Sequence, residues 1–230
     1  MSHHAQALSC IAALALATPV AAQAPAPTTT AFDGTYVGVS RESAFYAQDL
    51  SRGCRASGAP SALTITNGAA RTRDGPWEGS VSPQGWLVMR KPDASRLDGH
   101  IDRQGIIRGE TSSSQCLYTL IWEKMPAPTT AFDGTYAGIS RTSQPIVGPT
   151  GGCVPDGPPP PLTTVNGIAR TLWGRPAVAE GSVGKQGVLV MQAPSGYRFD
   201  GQIDGKGTIT GRFTLSGACS YQMVYQKKSN

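Results

Sequence analysis

Leu97-Asp98-Gly99-His100-Ile101-Asp102-Arg103-Gln104-Gly105-Ile106-Ile107-Arg108-Gly109 alternates apolar or small with polar residues up to a short turn, then resumes the alternation beyond it. Side chains along a strand point to opposite faces in turn, so Leu97, Gly99 and Ile101 share one face and Asp98 and His100 the other. Asp102 opens the intervening turn and Gly105 closes it, as type I geometry favours. Two further hairpins precede this one. Leu63-x-Ile65, Asn67-Gly68 and Ala70-x-Thr72 carry the Asn-Gly pair of a type I′ turn. Gly79-x-Val81 and Gly85-x-Leu87-x-Met89 flank Ser82-Pro83-Gln84. Tyr36-Val37-Gly38-Val39 starts a first strand, and Cys116-x-Tyr118-x-Leu120-x-Trp122 reads as the closing one. The period is two throughout, and no stretch sustains a helical stripe.

The whole pattern is written twice. Ala31-Phe32-Asp33-Gly34-Thr35-Tyr36 returns as Ala131-Phe132-Asp133-Gly134-Thr135-Tyr136, Asn67-Gly68 as Asn166-Gly167, Asp98-Gly99 as Asp200-Gly201, and Cys116 and Tyr118 as Cys219 and Tyr221. The spacing between copies drifts by only a few residues, which confines insertions to loops. A repeat this long is domain-sized and excludes a solenoid. The reading is therefore all-β, with about eight short strands per copy. Such a sheet hides its edges by closing or by folding over. Two tandem small antiparallel eight-stranded β-barrels are expected, with β-sandwiches as the alternative. The strand glycines Gly38, Gly79, Gly99 and Gly109 suit strong curvature and close packing. Module one spans residues 30–125, the linker 126–129 and module two 130–228.

Ahead of the repeat, Ala7 to Ala17 is a short apolar run, broken at Thr18-Pro19 and followed by small residues before Gln23. This is the layout of a secretory signal peptide over 1–22, although Met1 to His4 brings no Lys or Arg. Residues 23–29 form a Pro-rich N-terminal arm. Export to the periplasm or medium makes the four remaining cysteines a disulfide framework. Of the three possible pairings, only Cys54–Cys116 with Cys153–Cys219 gives each copy its own bond. Each closes a long loop, worth about 4 kcal/mol in the chain-entropy model.

Chemistry is scarce. His100 is the only histidine after the signal peptide, and Gln202 takes its place in module two, so no catalytic residue, metal ligand or cofactor is expected. Asp98, His100 and Asp102 read as a solvent face and a turn. Ser182-Val183-Gly184-Lys185 matches an S-x-x-K motif only across a hairpin turn. Charges shared by the copies, among them Arg41/Arg141, Arg71/Arg170, Glu78/Glu180 and Arg96/Arg198, suggest structural ion pairs or a polar site at one barrel mouth. The net charge of +5 is spread out, which argues against nucleic acid but allows weak association with an anionic envelope surface. No apolar run is long enough to span a membrane. Trp77, Trp86, Trp122 and Trp173 are expected in the core or plugging a barrel end.

The copies differ most after the first strand, where a loop anchored by Cys54 carries Phe45 and Tyr46. With Arg52, Arg55, Arg41 and Arg141 these are the candidate binding residues. In size and layout the modules resemble small exported eight-stranded barrels such as the bacterial metalloprotease inhibitors and the avidins. The first resemblance implies an N-terminal arm that enters a protease cleft. The expected function is non-catalytic binding of a partner protein or small molecule through barrel-end loops. Protease inhibition is the alternative, and a hydrolase or metal enzyme a remote one.

Overall fold

A computed structural model describes residues 30–45, 54, 58–113, 116–145, 153, 156–173, 178–194, 197–214 and 219–229. The first half runs through β1 (Gly34–Phe45), β2 (Leu63–Thr66), β3 (Ala69–Thr72), β4 (Glu78–Val81), β5 (Trp86–Arg90), β6 (Arg96–Ile101), β7 (Ile106–Ser112) and β8 (Cys116–Lys124). The second runs through β9 (Gly134–Pro145), β10 (Leu162–Val165), β11 (Ile168–Leu172), β12 (Val178–Val183), β13 (Val188–Gln192), β14 (Arg198–Ile203), β15 (Thr208–Thr214) and β16 (Cys219–Lys227). Each set closes into an eight-stranded antiparallel barrel in which every strand pairs with its sequence neighbours and the first pairs with the last. The sandwich alternative is thereby excluded. Each barrel carries its own disulfide, Cys54–Cys116 and Cys153–Cys219.

The turns form as their residues dictate. Asn67 and Gly68 take φ of 50° and 75°, and Asn166 and Gly167 take 53° and 73°, the left-handed values a type I′ turn requires. Asp33 reaches to the backbone of the first Asn-Gly turn, its carboxylate accepting from the N–H groups of Asn67 (2.8 Å) and Gly68 (3.2 Å); Asp133 does the same for Asn166 and Gly167. Asp102 accepts from the N–H groups of Gln104 and Ile106, both at 2.9 Å. Close approach explains a strand glycine. A Cβ on Gly79 would lie 1.9 Å from the Val88 carbonyl oxygen, and one on Gly181 would meet that of Val190 in the same way.

Leu87, Met89, Leu97, Ile101, Ile107 and Trp122 fill the first interior, and Leu189, Met191, Phe199, Ile203, Ile209 and Tyr225 the second. Outward positions carry Arg71, Glu78, Arg96 and Asp98, paired as Arg71–Glu78 (3.6 Å) and Arg96–Asp98 (2.7 Å). An apolar inside with a charged outside is the reverse of an outer-membrane barrel. Among the described residues no helix is long and apolar enough to cross a membrane.

One end of each barrel is sealed. Tyr36 and Tyr136 are fully buried there, donating to the carbonyl oxygens of Phe32 (2.7 Å) and Phe132 (2.6 Å). Burial first, then the nearby Asp33 charge, raises the Tyr36 phenol from 10.0 to about 12. Burial also raises Tyr136 and Tyr225. Between pH 10.0 and about 12 the unfolded chain therefore ionises Tyr36 while the folded barrel keeps it protonated. Stability is expected to be intact below that window and to fall progressively as pH rises through it. Urea titrations at stepped alkaline pH would read this, and Tyr36→Phe should flatten the fall.

The barrels abut through non-equivalent faces. Val37 on β1 and Val190 on β13 point out of their own barrels yet are 1% and 8% exposed. Gln192 lies buried between them. Its Oε1 accepts from the Gly38 N–H (3.1 Å) and its Nε2 donates to the Pro60 carbonyl (3.0 Å). Arg198 of the second barrel bonds Glu123 of the first at 2.9 Å. The linker lies along the second barrel, with the Thr129 N–H on the Val183 carbonyl and the Ser182 hydroxyl on that of Pro126.

Candidate functional site

The two ends of each barrel differ because their connections differ. Tight hairpin turns close the end described above. The opposite end is framed by the β1–β2, β3–β4, β5–β6 and β7–β8 connections, and the Cys54–Cys116 bond lies on that side. In the first barrel this end opens into a cavity of about 480 Å³. Trp122 lies at its base, its indole Nε1 donating to the Ser61 carbonyl (2.9 Å). Leu97, Thr111, Tyr118 and Leu120 line the walls. Trp77, Lys91 and Asp93 stand among the mouth residues, with Lys91 Nζ 4.7 Å from the Trp77 ring centroid.

The second barrel fills the corresponding space with rings. Trp173 stacks on Phe213 with centroids 3.7 Å apart and planes 11° from parallel. Tyr197 meets Phe213 edge-on at 5.8 Å, and Phe199 meets Tyr225 edge-on at 6.2 Å. In the aligned repeat Tyr197, Phe199 and Phe213 replace Ser95, Leu97 and Thr111. The backbone of the second barrel accommodates the larger rings through glycine. A Cβ on Gly211 would stand 2.3 Å from the Phe199 ring, whereas at the equivalent Gly109 the nearest atom is a Leu97 methyl at 3.1 Å.

Arg41 and Arg141 face into their barrels because of a β-bulge. The β1–β8 register steps from Gly38↔Trp122 to Ser40↔Ile121, so one extra residue is absorbed at Val39. Strict alternation from Tyr36 and Gly38 would send Ser40 and Glu42 inward. After the bulge Arg41 instead lies opposite inward Leu120, and Ser43 opposite Tyr118. The Arg41 guanidinium sits 4.3 Å over the Tyr118 ring, an attraction between cation and ring quadrupole. Arg141 repeats the placement opposite Met223, 6.0 Å from the Tyr221 ring.

The Phe45 side chain, Tyr46, Arg52 and Arg55 lie outside the described residues, as do residues 1–22, expected as a signal peptide, and residues 23–29, expected as an arm. Asp98 pairs with Arg96, and Asp102 binds its own turn. Trp86 departs from the expected core position. It is 60% exposed and rests edge-on against His100 at 4.8 Å, because Leu87 and Met89 take the inward places on β5. Sequence reasoning did not single out Lys91 or Thr111. The signal for Thr111 was present in the repeat, as a small residue aligned with Phe213. A second cavity, of about 470 Å³, lies between the barrels. Two of the charges lining it, Arg73 and Glu180, approach each other at 3.8 Å. No family model matches the chain, and no curated protein or solved structure is significantly similar to it.

Proposed function

We propose that this chain is an exported, non-catalytic binding protein, periplasmic or secreted, that takes a small molecule into the open end of its first barrel. The second barrel is its filled, structural companion. One observation carries the reading: duplicated barrels with the same strands and disulfide differ in that one interior end holds about 480 Å³ of space where the other holds stacked rings. A cavity of that size, in which Trp77, Leu97, Leu120 and Trp122 meet polar groups such as Arg41, Lys91 and Thr111, falls within the range of small-molecule sites. The disulfides support an oxidising compartment. Protease inhibition rests on the arm 23–29, which lies outside the described residues.

The test transplants the plug. Ser95→Tyr, Leu97→Phe and Thr111→Phe place the second barrel's side chains in the first. Wild-type protein is expected to gain thermal stability with members of a small-molecule library, and the plugged variant, folded by circular dichroism, to gain none. Equal shifts in both proteins would refute the cavity as the binding site.

A further inference from the structure

We infer that the cavity of the first barrel takes an organic anion, with Arg41 holding the charged group and Trp77 and Leu97 facing the apolar body. The inference rests on the binding role proposed above and specifies its chemistry.

Arg41 is the reason. The bulge at Val39 turns this cation inward, and its planar fork of N–H donors matches a carboxylate, sulfonate or phosphate. Among the described residues no carboxylate stands within ion-pairing distance of it. Its Nε is buried without a hydrogen-bond partner, and among the described residues the contact that faces its charge is the Tyr118 ring, at 4.3 Å. Arg198 at the barrel interface, by contrast, bonds both Glu123 and Asp200. A half-buried cation with no counter-ion among the described residues is poorly compensated, so an arriving anion gains more there than at a solvated surface.

The cavity reaches this level, with Arg41, Leu97, Leu120 and Trp122 all among its lining. Beside the Arg41–Leu120 pair along the barrel wall, the β7 residue paired with Leu120 is Gly109, itself paired with Gly99 on β6. Neither contributes a side chain. In the second barrel the Phe199 ring presses on the corresponding Gly211, 2.3 Å from a Cβ there; in the first, a Leu97 methyl and the Trp122 ring stand off at 3.1 and 3.3 Å from a Cβ on Gly109. Lys91 adds a second positive charge at the mouth, while Asp93, the acid beside it, is engaged by the Ser95 N–H at 2.9 Å. The arrangement suits a carboxylate, sulfonate or phosphate carried on a flat apolar body.

Two fluorescent probes with one ring skeleton separate the parts of this proposal: anilinonaphthalene sulfonate and its uncharged analogue phenylnaphthylamine. Wild-type protein is expected to bind both, the sulfonate more tightly. Arg41→Gln is expected to weaken the sulfonate by about tenfold, equivalent to about 1.4 kcal/mol, and to leave the neutral amine unchanged. Retained amine binding also certifies that the variant's cavity is folded, and Arg41→Lys should recover part of the loss. Thr111→Phe should abolish both. If both probes bind the wild type and Thr111→Phe removes them, but Arg41→Gln affects them equally or not at all, the anion subsite is refuted and the cavity reading stands. If neither probe binds, or Thr111→Phe leaves binding intact, the cavity reading fails and the subsite with it.

Discussion

Replacing Cys54 and Cys116 together by Ser is expected to lower the stability of the first barrel by about 4 kcal/mol, the loop-closure entropy of a crosslink spanning 62 residues. The corresponding pair, Cys153 and Cys219, spans 66 residues, and its removal has a similar expected cost to the second barrel. The outcomes differ because the barrels do. The first carries an open cavity and, among the described residues, fewer interior ring contacts, so the same loss takes it closer to unfolding. Reductant should therefore split one urea transition into two, the first barrel melting earlier. Trp77, Trp86 and Trp122 report on that barrel and Trp173 on the other. Trp173→Phe should thus leave the early fluorescence change intact. Coincident transitions with and without reductant would show that the bonds contribute little.

Much of this architecture is legible in the chain because it is set by local chemistry. Asn67-Gly68 and Asp102 to Gly105 specify their turns through backbone preference and one carboxylate, and period-two alternation then selects Leu97 and Ile101 for the interior. The cysteine pairing follows from the repeat. What is not legible depends on neighbours distant in sequence. The bulge at Val39 is one unpaired residue, visible only against β8, yet it decides that Arg41 faces inward. Asp33 reads as a residue opening strand one, but its carboxylate serves the turn at Asn67 across the barrel end. Trp86 reads as core by hydrophobicity alone, and strand parity places it outside. The difference between an open and a filled barrel lies in Ser95, Leu97 and Thr111 against Tyr197, Phe199 and Phe213. Those substitutions can be aligned from sequence, but their meaning emerges only once the side chains are known to converge on one interior level.

Phe213→Thr, which writes the first barrel's residue into the second, is expected to destabilise the second barrel by about 3–5 kcal/mol, the range for emptying a buried aromatic site. Phe213 is 1% exposed and is the ring on which Trp173 stacks and against which Tyr197 and Tyr221 pack, so its loss strips contacts from three neighbours at once. The reverse change, Thr111→Phe, enters space that already exists and should cost the first barrel little or stabilise it, since the added ring is removed from water without displacing a packed group. This asymmetry separates two accounts of the duplication. If the first barrel's cavity were merely loose packing, filling it would raise stability with no other consequence. If the cavity is kept open for a ligand, the stability gained by Thr111→Phe accompanies loss of binding, and Phe213→Thr with Trp173→Ala should give the second barrel a capacity to bind phenylnaphthylamine that the wild-type barrel lacks. Chemical denaturation of the three variants, paired with probe titration of each, reads both quantities. An increase in the first barrel's stability with binding retained would reject the exchange of packing for function.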